Sequence, residues 1–304
     1  MSNKTQRRRP TKTGKTRKIK QNGDVCSPAG GGNSAGEYTC YSVPALRSMR
    51  NSWNSRRPDM PINSNEPAEI WSFLYKRMSN TCDSEKCWLR HKFLTNNIDN
   101  ETLQYTFAPD APHSWSRNPT EWLTSSDIER VMAHFEHVYP SFVFIGPSPI
   151  DFDTRFENRE CVWDELCAFN LKSYIARGKT KIGIIFNTDP HNKSGEHWIS
   201  MFINIATQKP YIFFFDSTGD PPPSEIKNFS NRILNQADKM GLKMYYIENH
   251  PFEHQKGDSE CGVYSLYMIS QILSGEKTPE TFKNKRISDA EMKNMRSEFF
   301  NLPS

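Results

Sequence analysis

Three short apolar runs follow one another between residues 181 and 217: KIGIIFN (181–187), HWISMFINI (197–205) and PYIFFFDS (210–217). Each has strand length, is rich in β-branched and aromatic residues, and is bounded by polar or proline-containing turns. They commit this part of the chain to a sheet. Upstream, EWLTSSDIERVMAHFEHVYPSFVFIG reads as a helix and then a short strand. Ser126 and Glu129 fit a capping box, Ile128, Val131, Phe135 and Val138 form one stripe, and Pro140 ends it. Downstream, residues 223–240 place Ile226, Phe229, Ile233, Leu234 and Ala237 on one helical face. LKMYYIE (242–248) is a further strand, and a helix opens on Cys261. The pattern is α+β: a central, mostly antiparallel sheet between helices, occupying residues 116–304.

The 304 residues, 36% of them hydrophobic, allow one well-cored domain plus an accessory segment. No apolar run approaches the roughly 18 residues of a membrane span, and the charged N-terminus lacks an apolar signal core; no membrane partner is expected. Nine of the first twenty residues are Lys or Arg and none is acidic. Residues 1–39, basic and then Gly/Ser-rich, are expected to form a disordered tail. Such a tail suits nucleic acid or an acidic partner, and equally suits a solvated tail or import signal. Residues 40–115 read as a helical, loop-rich arm, with VPALRSMRNSW and EPAEIWSFLYKRM at helical spacing. The seven cysteines are an odd number, and without a secretion signal the expectation is a reducing compartment and mostly free thiols. Cys82, Cys87 and His91 have the spacing C-x4-C-x3-H, three ligands where a structural zinc site takes four. No metal and no cofactor are expected.

A hairpin centred between Ala206 and Thr207 would set His197 opposite Asp216, with Cβ atoms roughly 5 Å apart. A carboxylate there fixes the imidazole tautomer and stabilises its cation; the bland alternative is chance alignment. In HPFEHQKGDSECGVYSLYMIS (250–270), Asp258 or Ser259 falls in capping range and Cys261 near the first helical turn. A helix N-terminus and a neighbouring imidazolium both favour a thiolate. Gly262 would leave the approach to the sulfur uncrowded. Cys261 could equally be a small core residue. Gln255, six residues earlier, could offer its amide to an oxyanion beside the Cys261 N–H, or could simply be solvated.

His197, Asp216, Gln255 and Cys261 occur in that chain order, unlike papain, where the cysteine comes first. The combination of HW (His197, Trp198), FDS (Asp216), Gln255 and CG (Cys261, Gly262) resembles the adenovirus-protease and SUMO-processing-protease superfamily. NTDPHNKSGEHW, FFDSTGDPPP, HQKGDSECGVYSL, ISDAEMKNMRSEFF and CDSEKC look like its African swine fever virus subgroup of polyprotein-processing proteases. The resemblance implies a papain-like thiol protease core with an N-terminal helical arm. It departs at the third position, where that subgroup has Asn and this chain has Asp216, as the SUMO proteases do.

The resemblance implies a cysteine endopeptidase. Cys261 is its nucleophile, His197 its base or resting ion-pair partner, Asp216 the orienting group, and Gln255 an oxyanion donor. Its substrate would be a viral structural precursor polyprotein, in the virion and at assembly sites in host cytoplasm. Trp198, after the catalytic His, and Trp122, in EWLT, resemble the family's clamp over a substrate's last residues; Trp122 could instead anchor the first helix. Two indoles closing over a strand favour glycine next to the cut. A SUMO or ubiquitin-like isopeptidase, an acetyltransferase and a non-enzymatic nucleic-acid-binding virion protein are the rivals. The acetyltransferase lacks a basic pocket for its cofactor, and the nucleic-acid binder lacks interleaved basic and aromatic residues on strands.

Overall fold

The computed structural model describes residues 20–21, 24–27, 34–157 and 160–302. Two small antiparallel pairs come first, β1 (Lys20–Gln21) with β2 (Asp24–Val25) and β3 (Ser34–Gly36) with β4 (Thr39–Ser42). Helices α1 (Val43–Arg56), α2 (Pro67–Met78), α3 (Lys92–Thr95) and α4 (Asn100–Tyr105) follow. Helix α5 (Ser125–Val138) leads into strand β5 (Phe142–Pro149). Short helices α6 (Asp164–Cys167) and α7 (Leu171–Ala176) precede β6 (Lys181–Asn187), β7 (Trp198–Asn204) and β8 (Tyr211–Phe215). Then come α8 (Ser224–Lys239), β9 (Tyr245–Glu248), α9 (Cys261–Ser274), α10 (Pro279–Asn284) and α11 (Asp289–Phe299).

The central sheet has the order β5-β6-β7-β8-β9. Its strand side chains alternate between two buried faces, which is why the runs are apolar at nearly every position. Phe202 of β7 and Phe213 and Phe215 of β8 pack with Val263, Leu266 and Ile269 of α9, Ile128 and Val131 of α5, and Met292 of α11. Ile199, Met201 and Ile203 of β7 and Ile212 and Phe214 of β8 pack with Ile226, Phe229 and Ile233 of α8. The α+β class and the sheet between helices are as the sequence indicates. The pairing is mixed rather than mostly antiparallel: β6-β7 and β7-β8 are antiparallel, β5-β6 and β8-β9 parallel. The crossovers through α6–α7 and through α8 are long enough to return the chain in parallel.

Two local readings shift. The β7-β8 ladder pairs Ser200 with Phe215, so the hairpin centre lies one residue later than expected and cross-strand partners move by two. Two is the side-chain period of a strand, so the faces survive the error. The capping box at the start of α5 is Thr124 with Asp127, not Ser126 with Glu129. Thr124 accepts from the Asp127 N–H, and the Asp127 carboxylate accepts from the Thr124 N–H at 2.9 Å.

A separate apolar cluster holds the arm: Tyr41, Leu46, Met49, Trp53, Ile70, Leu74, Trp88 and Phe107 among others. The expected disordered tail is too long at its C-terminal end. Asp24, Val25, Cys26 and Ser27 are buried, and Cys26 belongs to the arm cluster. The Asn301 side chain ties this piece to the chain's other end, its Oδ1 accepting from the Val25 N–H at 2.5 Å and its Nδ2 donating to Ala108 O at 2.6 Å. Residues 1–19, which carry most of the basic charge, lie outside the described residues, and so does the expectation of nucleic-acid contact that rests on them.

Candidate active site

His197 immediately precedes β7 and Asp216 immediately follows β8. The strands are antiparallel, so both residues fall at one end of the sheet. Helix α9 begins on Cys261 and lies against β7, with Ser265 Oγ donating to Trp198 O at 3.4 Å. That contact brings the sulfur to the same end. His197 Nε2 lies 2.9 Å from Asp216 Oδ1, and the ring also hydrogen-bonds the Cys261 side chain. Nε2 is taken by the carboxylate, which leaves Nδ1 for the sulfur. Burial opposes charge on the ring, but the hydrogen bonds to Asp216 and Cys261, reinforced by their negative charges, outweigh it and raise the His197 pKa to about 10. The ring is therefore an imidazolium at neutral pH. The Asp216 carboxylate, 2.9 Å away, holds that proton on the ring at rest.

Each of these groups is held by residues that spacing alone did not single out. Asp216 Oδ1 also accepts from the Thr218 N–H at 2.9 Å and the Thr218 hydroxyl at 2.7 Å. Asn249, fully inside the protein, grips the Asp216 backbone: its Oδ1 accepts from the Asp216 N–H at 2.9 Å and its Nδ2 donates to Asp216 O at 2.7 Å. Gln255 is buried, not solvated. Its Oε1 accepts from Ser217 Oγ at 2.7 Å and its Nε2 donates to Gly257 O at 2.7 Å. Both ends of the amide are thus engaged in holding the loop. The neighbouring His254 donates from Nε2 to Phe282 O and accepts at Nδ1 from the Ile287 N–H. Burial, with Arg286 adding to it, lowers its pKa and keeps it neutral. Asp289, at the start of α11, accepts from the Lys256 and Gly257 N–H groups at 3.1 Å each and from Tyr264 Oη at 2.9 Å.

The start of α9 differs from the expected capped turn. Glu260 occupies the cap position with no side-chain cap bond; neither Asp258 nor Ser259 fills it. The Glu260 carboxylate instead accepts from buried Arg296 Nε at 2.8 Å, and Arg296 also donates to Ser259 O and Glu121 O. Cys261 is the first helical residue, so its N–H has no intrahelical acceptor. Gly262 serves packing rather than access: a Cβ there would come within 3.0 Å of Leu123 Cβ. Leu123 O in turn accepts from Trp198 Nε1 at 3.0 Å. Trp198 is 8% exposed and Trp122 46%, and both line one cavity of about 560 Å³, with Pro147, Trp163 and Asn187.

The expectation of mostly free thiols is overturned. Cys26–Cys40, Cys82–Cys87 and Cys161–Cys167 are disulfides, and among the described residues the one free cysteine is Cys261. All three pairs close short loops, so local chain geometry rather than compartment brings the sulfurs together. Pairing leaves the Cys261 sulfur, beside His197, as the free thiol among the described residues.

A thiol at a helix start, hydrogen-bonded to an imidazolium that a carboxylate orients, on a mixed sheet between helices, defines a cysteine protease. The description "Ulp1 protease family, C-terminal catalytic domain" matches residues 169–302. A thiol protease of Acanthamoeba polyphaga mimivirus is 30% identical over 287 residues, covering 88% of this chain and 90% of that protein. A SUMO-1 cysteine protease of African swine fever virus (isolate Pig/Kenya/KEN-50/1950) is 27% identical over 247 residues, covering 77% of this chain and 88% of that one. A crystal structure of the African swine fever virus protease shares the fold, with TM-score 0.61 and 24% identity over 78% of this chain and 89% of that chain. The chain belongs to the Ulp1 protease family and is a thiol protease of the viral kind.

Proposed function

We propose that this protein is an endopeptidase that cleaves viral structural precursor polyproteins after small-residue sites of the Gly-Gly type, in virions and at cytoplasmic assembly sites. In this reading Cys261 Sγ, paired with the His197 imidazolium, attacks the scissile carbonyl and forms a thioester. The Gln255 amide and the Cys261 N–H receive the oxyanion. His197, oriented by Asp216, protonates the leaving amine and then activates the water that hydrolyses the thioester.

The observation that carries the substrate preference is the placing of the two tryptophans. Trp198 is pinned by its Nε1 bond to Leu123 O, immediately next to His197, and the exposed Trp122 lines the same cavity. In this reading the substrate strand runs between the two indoles, where glycine fits and bulkier side chains do not. The name of the African swine fever virus relative supports the rival reading of SUMO deconjugation. A panel of peptides varying the residue before the cut, run beside SUMO and ubiquitin conjugates, separates the two. Glycine-specific peptide cleavage with conjugates untouched is expected. Equal rates with Ala or Leu before the cut would remove the clamp, and rapid deconjugation would favour the rival.

A further inference from the structure

Cys82, Cys87 and His91 lie in the arm, on the segment that joins α2 to α3, away from the catalytic groups. Their three potential ligand atoms, two Sγ and one ring nitrogen, all lie within 4.8 Å of one another. His91 Nε2 is 3.4 Å from Cys82 Sγ. In a tetrahedral zinc site with its usual bond lengths, a sulfur and an imidazole nitrogen sit about 3.5 Å apart. One edge of such a tetrahedron is therefore already in place. The His91 ring is steadied edge-on against Phe93, with centroids 5.8 Å apart. The other edge is closed by the Cys82–Cys87 disulfide. Reduction opens this edge and leaves two thiols beside the ring nitrogen.

We propose that Cys82, Cys87 and His91 form a zinc site in the reduced chain, and that the Cys82–Cys87 disulfide is the oxidised, metal-free form of the same site. A dithiol reductant supplies two electrons and two protons to the S–S bond, giving two thiols and its own disulfide. Zinc then displaces the two thiol protons to solvent and takes two thiolates and the neutral His91 nitrogen. The spacing C-x4-C-x3-H supplies three protein ligands, the ground for expecting no metal, and that expectation is reversed here by giving the fourth position to water. Cys82 is buried while Cys87 and His91 are only half-buried, so the fourth position opens to water.

The site sits at a junction of the arm. The loop it closes carries Glu85, whose fully buried carboxylate accepts from the Cys40 N–H at 3.1 Å and from Trp71 Nε1, and whose carbonyl accepts from Tyr41 Oη at 2.8 Å. In either redox form this loop, and with it the junction of β4 and α2, is held closed. Zinc replaces the covalent bond where the disulfide cannot persist.

The test uses the full chain carrying Cys261→Ala, which removes the catalytic thiol as a competing ligand. The protein is reduced with a phosphine, freed of it under anaerobic conditions, and titrated with Co²⁺ as a spectroscopic probe. Expected are one equivalent of Co²⁺, thiolate-to-metal absorption in the near ultraviolet, tetrahedral visible bands, and displacement by Zn²⁺. Uptake should vanish in Cys87→Ser and in the unreduced protein. His91→Ala keeps both sulfurs and the disulfide; unreduced, it should melt with the parent, and reduced, it should lose the tetrahedral spectrum. Absence of the thiolate band in the reduced parent overturns the proposal. So does a band that survives both Cys87→Ser and His91→Ala, since other thiols would then hold the metal.

Discussion

His197 carries the sharpest consequence of the local electrostatics. A proton held with a pKa of about 10 stays on the ring through neutral pH and is available to the leaving amine. We therefore expect peptide hydrolysis to persist to about pH 9 and to fall through about pH 10, as the imidazolium is lost. A profile that falls near pH 7 would contradict the protonated ring. The same shift contributes to stability. The folded-state pKa is raised above 6.5, so this contribution is complete below about pH 6.5 and fades as pH rises towards 10. At Asp216, one carboxylate oxygen accepts from His197, the Thr218 N–H and the Thr218 hydroxyl. Asp216→Asn keeps an oxygen in that place and loses only the charge. It should retain measurable kcat, whereas Asp216→Ala, which orphans all three donors, should lose at least tenfold more. Equal losses would mean that the charge and not the orientation matters.

At the scale of elements, the sequence spoke clearly where burial dictates pattern. Strand β6 falls on residues 181–187 and α8 and α9 begin within a residue of expectation, because runs covered on both faces stay apolar from end to end and stop at turns. The β7-β8 register was legible only to within one strand period, since NIATQKP carries no turn residue that fixes a centre. Pairing His197 with Asp216 succeeded nonetheless, because both lie beyond the paired ladder, on the same face and at the same end. Asn249, Ser217 and Asp289 were not legible. Each acts on a partner more than thirty residues away, through contacts that exist only once the sheet has formed. The start of α9 makes the same point and yields a test. Glu260 and Arg296 are both buried, and removing one partner leaves an uncompensated charge beside Cys261. Arg296→Met should destabilise the protein by about 3–5 kcal/mol in denaturant titrations. Glu260→Gln in that background should restore part of the loss. No recovery in the double variant would show that Arg296 acts through the Ser259 and Glu121 carbonyls and the Trp115 ring, over which its guanidinium lies at 4.6 Å, and not through the ion pair.

On the scale of the whole molecule, the two ends of the chain are fastened to one another and to the arm. Asn301 joins Val25 to Ala108, and its own backbone N–H and C=O pair with Pro109 and Ala111. Ser27 Oγ hydrogen-bonds His134 Nδ1, on a ring whose burial lowers its pKa to about 4. The Cys26–Cys40 disulfide ties the same piece to β4. Composition alone assigned residues 24–27 to a disordered tail, because four residues are too few to show a period and their partners lie at the far end of the chain. Two truncations distinguish the readings. Removing residues 1–19 takes away none of these contacts and should leave both peptide cleavage and the melting temperature where they are. Removing residues 1–33 deletes Val25, the partner of the Asn301 side-chain oxygen, and Ser27, the partner of His134, and leaves Cys40 unpaired. Orphaning the buried Asn301 oxygen alone costs about 1–3 kcal/mol, and the lost disulfide adds about 2–4 kcal/mol. For a chain of this size about 1.6 °C of melting temperature accompanies each kcal/mol, so the longer truncation should melt roughly five to ten degrees lower. Catalysis at 25 °C should fall less, because the lost contacts lie on the α5 and α11 side of the core and touch neither His197 nor Cys261. Identical melting curves for the two truncations would return residues 24–27 to the tail.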